Sequence, residues 1–430
     1  MFLDQVEQIK LSTEPIYAVH WCPYLPSSTH ENDAHVDLFV LAGRKLWFLL
    51  VQTTSFKSKS RILFAVEPRV PTASNKRPRS SAPDKDVEYF YAVATTVAQS
   101  STHLGNLNDL LCVAGGIGTC VTVVNVHQRR VVAVVPCAGN DINAIRTHPT
   151  RWSWVAVASK DCSIRIIDIA RGTTLAVLGG VAGHAQQVLD LDWSTRGDWL
   201  VSGAADNAVK FWRVPPAEIL TRVHGEPVAV AGPAKSTQWP HANFVDAVRV
   251  AREGSGGRAP WVWTKSVEGE ILMWRLGNDD DDGDGQDDAE VLPRLCAETE
   301  ERGPRTTPVL RLTYPTPNHW FFKLDVIDDL IAVGSASGSV HIWHIERALA
   351  ATVDLPRPET PAKDWTELAD RLNDAVMPAA PNVKGAYVEL EVGECVRGVG
   401  VAGYRGEGRS RVVIAVTDGG SVVVAQLRME

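Results

Sequence analysis

His184, Ser202 and Asp206 fall within one short stretch and are the residue types of an acyl-transfer triad: a base, a nucleophile and an orienting carboxylate. Their surroundings do not supply the rest. Ser202 lies in "WLVSGAAD", without the G-x-S-x-G turn that lifts a nucleophile clear of its strand. The acidic run "GNDDDDGDGQDDAE" offers carboxylates to a calcium ion. With Gly283 at the sixth loop position the twelfth is Ala289, and with Gly285 it is Val291, so the bidentate glutamate is missing in both frames. Dense like charge repels itself, and a solvated loop is expected there. "GGIG" (Gly115 to Gly118) and "LGGVAG" (Leu178 to Gly183) match neither the P-loop nor the dinucleotide pattern. The cysteines at 22, 112, 120, 137, 162, 296 and 395 are odd in number and never spaced C-x-x-C, which fits neither a disulfide framework nor a zinc site. No catalytic residue, cofactor or metal is expected.

The second chemistry-bearing pattern is aromatic. "PTPNHWFFKLD" (Pro315 to Asp325) sets Trp320, Phe321 and Phe322 side by side. A strand buried on one face alternates apolar and polar residues. Three adjacent rings break that alternation, so at least one must point away from the local core. Convergent aromatic faces attract a quaternary ammonium through their quadrupoles. A trimethyl-lysine head suits such a site, because it is poorly hydrated and has no proton whose hydrogen bond would be lost on burial.

The elements that must position these groups repeat along the chain. "GHAQQVLDLDWSTRGDWLVSGAADNAVKFW" (Gly183 to Trp212) reads as strand, turn, strand, turn, strand, opening on Gly-His and closing on Trp. It resembles a WD repeat. In such repeats the residue types of His184, Ser202, Asp206 and Trp212 form a buried hydrogen-bonded set, which is the role expected here. "NDINAIRTHPTRWSWVAVASKDCSIRIIDI" has the same skeleton, and five further units bring the total to seven. The expected fold is all-β: a single seven-bladed WD-repeat propeller spanning 1–430, with loop insertions. Three inserts stand out by composition. They are a basic Ser/Pro-rich loop at 56–86, the acidic loop at 277–290, and a Pro-flanked insert at 355–384 between the last two blades. In the last, Trp365, Leu368, Leu372 and Val376 follow Thr360-Pro361 at helical spacing and predict a short helix.

Propellers present equivalent positions of successive blades around a central channel. The second residue of each innermost strand reads Tyr17, Tyr91, Asn143, Leu189, Asp246, Phe321 and Arg397. Blades six, seven, one and two are consecutive in a closed ring, so Phe321, Arg397, Tyr17 and Tyr91 gather on one side of the mouth, with Trp320 beside Phe321. Packing the top of the channel is the alternative role for these rings.

The stretch Leu175 to Val214, with "INAIRTHP", "SKDCSIRI", "HANFVDAVR", "TKSVEGEILMW" and "VRGVGVA", resembles the family of EED, or Extra sex combs, the WD-repeat subunit of Polycomb repressive complex 2. The resemblance implies a non-catalytic, nuclear scaffold and histone-mark reader. It places the trimethyl-lysine cage on Tyr17, Tyr91, Trp320 and Phe321, a basic neighbour on Arg397, and peptide-backbone contacts on Asn143 or Asn140. The implied partners are the histone H3 tail carrying trimethyl-lysine, a SET-domain lysine methyltransferase subunit bound through a helix on the opposite face, and other Polycomb subunits. A marked tail in the cage would stimulate the methyltransferase and support gene silencing. Phe321 stands where Tyr is usual and Tyr17 where Phe is usual, so the hydroxyls are rearranged. The alternative is a WD-repeat interaction scaffold without methyl-lysine reading.

The bulk properties agree with that range. The net charge is -8 and 22% of residues are charged, which argues against a nucleic-acid-coating surface. No apolar run approaches the roughly 18 residues of a membrane span. The opening "MFLDQVEQIK" lacks a secretion signature, so an intracellular protein is expected. "KRPR" (Lys76 to Arg79) resembles a minimal nuclear-import tetrapeptide.

Overall fold

A computed structural model of the chain describes residues 1–24, 35–53, 58–67, 89–98, 109–237, 241–251, 261–275, 310–315, 321–345, 347–348, 386–402 and 410–428. These residues form seven sheets, antiparallel except at the outer edge of one. We number the strands in chain order and call the sheets blades 1 to 7. The innermost strands are β2 (Ala18–Cys22), β6 (Phe90–Val97), β10 (Ile142–Thr147), β14 (Val188–Trp193), β19 (Val245–Ala251), β23 (Leu324–Ile327) and β27 (Val396–Val401). Each packs on the next, and β27 packs on β2, which closes the ring. The middle strands are apolar on both faces because each blade is covered by a neighbour on either side. β11 (Trp154–Ser159) and β15 (Trp199–Ala204) are buried at every position.

Closure uses a strand that the internal repeats did not reveal. β1 (Phe2–Lys10) pairs along its length with β29 (Ser421–Arg428), so the start of the chain supplies the outermost strand of blade 7. The insert boundaries also change. Ser58–Val66 is β5, the outer strand of blade 1, so the insert expected to begin at residue 56 starts later. The strand's first residues, Ser-Lys-Ser-Arg, are polar, which is why that end of it read as part of a basic loop. The insert at 355–384 does not lie between the last two blades. β25 (Ser339–His344) pairs with β26 (Tyr387–Glu391), which places the intervening chain inside blade 6. The acidic loop likewise falls within blade 5, between β21 (Glu270–Arg275) and β22 (Leu310–Thr313). The acidic loop itself, the helix expected around Trp365 and the "KRPR" segment lie outside the described residues. Blade 3 gains a fifth strand, β17 (Val228–Val230), which runs parallel to β13 (Thr173–Leu178) and comes from chain that belongs to blade 4. No helix among the described residues is long and apolar enough to cross a membrane.

Candidate functional site

The channel positions share a backbone device. The pairing register skips one residue at Tyr91, Asn143, Leu189, Asp246 and Arg397, each the second residue of its innermost strand. Such a bulge breaks the strict alternation of the strand and re-aims one side chain. Blades 1 and 6 differ. β2 begins only at Ala18, with the Tyr17 N–H donating to the Ala42 carbonyl at 2.8 Å. β23 begins at Leu324, and Phe321 precedes it with a φ of 74°. That is the left-handed region, strained for a bulky side chain. The strain is held by Asp246 of blade 5, whose Oδ2 accepts the N–H of Phe321 at 3.0 Å and of Phe322 at 3.2 Å. Its Oδ1 meets the Lys265 ammonium at 2.6 Å.

Three of the four expected cage residues can be followed, and their rings adjoin. Tyr17 and Tyr91 meet edge to face with centroids 5.0 Å apart, and Tyr91 meets Phe321 at 5.7 Å and 74°. Tyr89 adds a fourth ring, 6.4 Å from Tyr17. Trp320 lies outside the described residues. Tyr17 and Tyr91 are half-buried, whereas Phe321 is only 9% exposed. Phe322 is fully buried and belongs to the core. Burial and the Asp418 carboxylate push the Tyr17 phenol up, so it stays neutral at physiological pH.

The expected peptide contacts fare differently. The Arg397 guanidinium lies 5.2 Å over the Phe322 ring and donates through Nε and Nη2 to Asp418 at 2.6 and 2.9 Å. It is at the mouth, paired bidentately. Asn143 is buried, and its Nδ2 donates to the Val188 carbonyl at 2.8 Å, tying blade 3 to blade 4. A side chain used in that way is not presented to a peptide. Asn140 is exposed, with its Oδ1 accepting the Asp141 N–H.

In blade 4 the Trp212 Nε1–H donates to Ser202 Oγ at 2.8 Å, Ser202 Oγ and His184 Nε2 are 2.8 Å apart, and His184 Nδ1 lies 3.0 Å from Asp206. A tautomer protonated at Nδ1 satisfies the whole chain. Burial pushes the imidazole down, which favours the neutral ring, even though Asp206 pulls the other way. The arrangement has triad geometry without triad function. Ser202 is fully buried, and its oxygen is already committed to an indole and an imidazole. Blade 5 repeats the set with other residue types, a repetition that sequence reasoning missed. Trp274 Nε1–H donates to Thr264 Oγ1 at 2.8 Å, His241 Nε2 meets the same oxygen at 2.8 Å, and His241 Nδ1 meets Glu270 at 3.0 Å. The signal was present: a hydroxyl residue stands 10 positions before the tryptophan in both blades.

The other residue missed was Lys323. Its ammonium sits 4.6 Å from the Phe321 ring centroid and donates to the carbonyls of Leu189 and Asp246.

Comparison with known proteins adds relatives to this geometry. The family described as WD domain, G-beta repeat matches residues 173–213, the end of blade 3 and most of blade 4. Polycomb group protein FIE1 of Oryza sativa subsp. japonica is 28% identical over 253 residues, 56% of this chain and 48% of that protein. Polycomb protein esc of Drosophila melanogaster is 27% identical over 279 residues, 61% of this chain and 59% of that protein. The aligned part thus spans about half to three-fifths of the length of these two curated relatives. Among solved structures, a chain of the Chaetomium thermophilum polycomb repressive complex 2 superposes with a TM-score of 0.69 at 16% identity, covering 99% of this chain and 97% of that one, which shows a shared fold. The chain is thus similar to the Polycomb esc and FIE proteins and shares its fold with a polycomb repressive complex 2 chain.

Proposed function

We propose that the protein is the non-catalytic WD-repeat subunit of a Polycomb-type histone H3 lysine methyltransferase complex, and that its channel mouth binds the trimethyl-lysine mark. One observation carries the reading: Tyr17, Tyr91 and Phe321, from blades 1, 2 and 6, bring their rings within 5.0 and 5.7 Å of one another. Each ring contributes about 0.5–2 kcal/mol of attraction to a cation, according to how far the site is desolvated. Trp320, the fourth cage residue, adjoins Phe321 in the chain. A related structure in this fold was solved with a trimethylated histone H3 ligand, which supports the same chemistry here. Asn140 and the Arg397–Asp418 pair are the polar groups for the flanking peptide. The opposite face of the propeller takes a helix of the SET-domain subunit, other Polycomb subunits complete the assembly, and a bound mark stimulates the enzyme in the nucleus.

A second reading keeps the family but makes the propeller an assembly platform only. It is favoured by the low exposure of Phe321 and by the cation already lying against its ring. Titration with histone H3 tail peptides, unmodified and trimethylated at the Polycomb-type lysine, separates the two. Trimethyl-selective binding that is lost in Tyr91→Ala is the expected result. Equal or absent binding of both peptides leaves the platform.

A further inference from the structure

Lys323 is an unusual neighbour for a cation site. It is 9% exposed, and its Nζ lies against one face of Phe321, 4.6 Å from the centroid. The charged groups around it come from several blades. Asp190 of β14 is 3.9 Å away, but the same carboxylate is closer to Arg249 of β19, at 2.6 Å, and to Arg146 of β10, at 3.4 Å. Asp246 of β19 gives Lys323 its carbonyl, while its carboxylate is held by Lys265 of β20 (Trp261–Ser266). Both nearby carboxylates are therefore shared with other cations. Of the three cations around Asp190, Lys323 is the most distant and the only amine.

We propose that Lys323 is a specificity-determining residue of the mouth: its ammonium is a resident cation with which a peptide cation must share the Phe321 ring, so a permanently charged ligand binds more tightly once Lys323 gives up its proton. This rests on the reading of the mouth as a trimethyl-lysine site and adds a regulation to it. Trimethyl-lysine cannot titrate, so any proton released on binding comes from the protein. Linkage is reciprocal: if neutral Lys323 strengthens binding, bound ligand depresses the Lys323 pKa. Burial pushes this amine down to about 8, with Asp190 and Asp246 opposing the shift and Arg249 and Arg146 adding to it. The transition thus falls in an accessible range. Two neighbouring titratable groups at the mouth are moved further from that range. Burial and Asp418 raise the Cys395 thiol to about 11, and the Tyr17 phenol is raised above its usual range.

The test is calorimetric titration of the full chain between pH 6.5 and 9.5 with a short end-capped peptide whose only charge is one trimethyl-lysine. Its uncharged isostere, with carbon in place of the ammonium nitrogen, is the control. Affinity for the charged peptide is expected to rise about three- to tenfold between pH 7 and 9, while the isostere stays flat. Lys323→Met should bind the charged peptide with no pH slope, at the wild-type high-pH affinity. Lys323→Arg, which keeps its charge throughout, should also be flat but at the low-pH affinity. Measurable binding with a flat wild-type profile, or a slope that persists in Lys323→Arg, overturns the inference and leaves the cage standing. Failure of the wild type to bind the charged peptide at any pH overturns both. The wild-type profile and the arginine variant decide the matter even where the methionine variant misfolds.

Discussion

Asp246 shows how much one side chain can fix. It carries no ring, yet it sets the backbone that presents one, because its Oδ2 accepts both Phe321 and Phe322 N–H groups while Oδ1 holds Lys265. Asp246→Ala leaves an ammonium buried without its partner and two N–H groups unsatisfied. Loss of about 3–5 kcal/mol is expected in chemical denaturation, together with loss of trimethyl-peptide binding. Replacing the pair, Asp246→Leu with Lys265→Met, should recover much of the stability, since no buried charge is stranded. It should not recover binding, since nothing then holds Phe321 at its positive φ. Recovery of both would show that the cage shape does not depend on this carboxylate. The hydroxyls of the two tryptophan networks give a second prediction at the same scale. Ser202→Ala strands the Trp212 indole N–H, and Thr264→Val strands that of Trp274. Each should cost about 1–3 kcal/mol, and the two costs should add, because the networks share no partner. Strong non-additivity in a double-mutant denaturation series would contradict that.

The elements explain what could be read from the sequence and what could not. Middle strands such as "WVAVAS" and "WLVSGA" are apolar runs bounded by turn residues, and they gave the blade count because burial on both faces leaves no other composition. Outer strands carry a weaker signal. β18 (Lys235–Thr237) and β22 (Leu310–Thr313) are short and partly polar, and they belong to their blades only through register with the strand inside them. The parallel β17 and the closing β1 depend on contacts with distant chain, which no local pattern encodes. The convergence of the Tyr17, Tyr91 and Phe321 rings was legible because the three positions could be compared blade against blade. The cation against Phe321 was not, because its position follows from a strand that starts late. Closure by β1 carries its own prediction. Leu11 and Ser12 N–H groups both donate to the Gly420 carbonyl, and Gly420 has a φ of 78° with its α-carbon facing the Ser12 carbonyl. Removing residues 1–10 bares the whole edge of β29. A lower melting temperature and concentration-dependent association by size-exclusion chromatography are expected. A monomeric, equally stable truncation would show that blade 7 closes without β1.

From blade 4 to blade 7, carboxylates of one innermost strand reach backbone N–H groups of the next blade. Asp190 and Asp192 of blade 4 accept the Val248 and Val250 N–H groups of blade 5, Asp246 of blade 5 serves blade 6, and Asp325 of blade 6 accepts the Val401 N–H of blade 7. Of these carboxylates, Asp190 is the one held ionised by surrounding cations. Burial raises the Asp190 pKa, but Arg249, Lys323 and Arg146 outweigh it and hold the group well below the usual carboxylate range. Its contribution is therefore present above the unfolded value near 4 and is lost only as pH falls through the lower folded value. The histidines give way earlier. His148 sits between blades 3 and 4, its ring 4.6 Å from that of Trp193, and its Nδ1 accepts the Thr150 and Arg151 N–H groups. Burial pushes it down to about 4, with Arg151 adding to the shift and Gly197 and Asp198 opposing it. Between about 6.5 and 4 the unfolded chain binds a proton that the folded chain refuses, so stability falls as pH falls through that window. His184 and His341 are lowered by burial as well and act in the same direction. Melting temperatures measured from pH 7.5 to 4.5 should decline across this window. The slope should be shallower in His148→Asn, whose Oδ1 can take over the acceptor role of Nδ1 without titrating. An unchanged slope in that variant would assign the acid response to other groups, and a flat wild-type curve would mean that the blade interfaces admit the proton without cost.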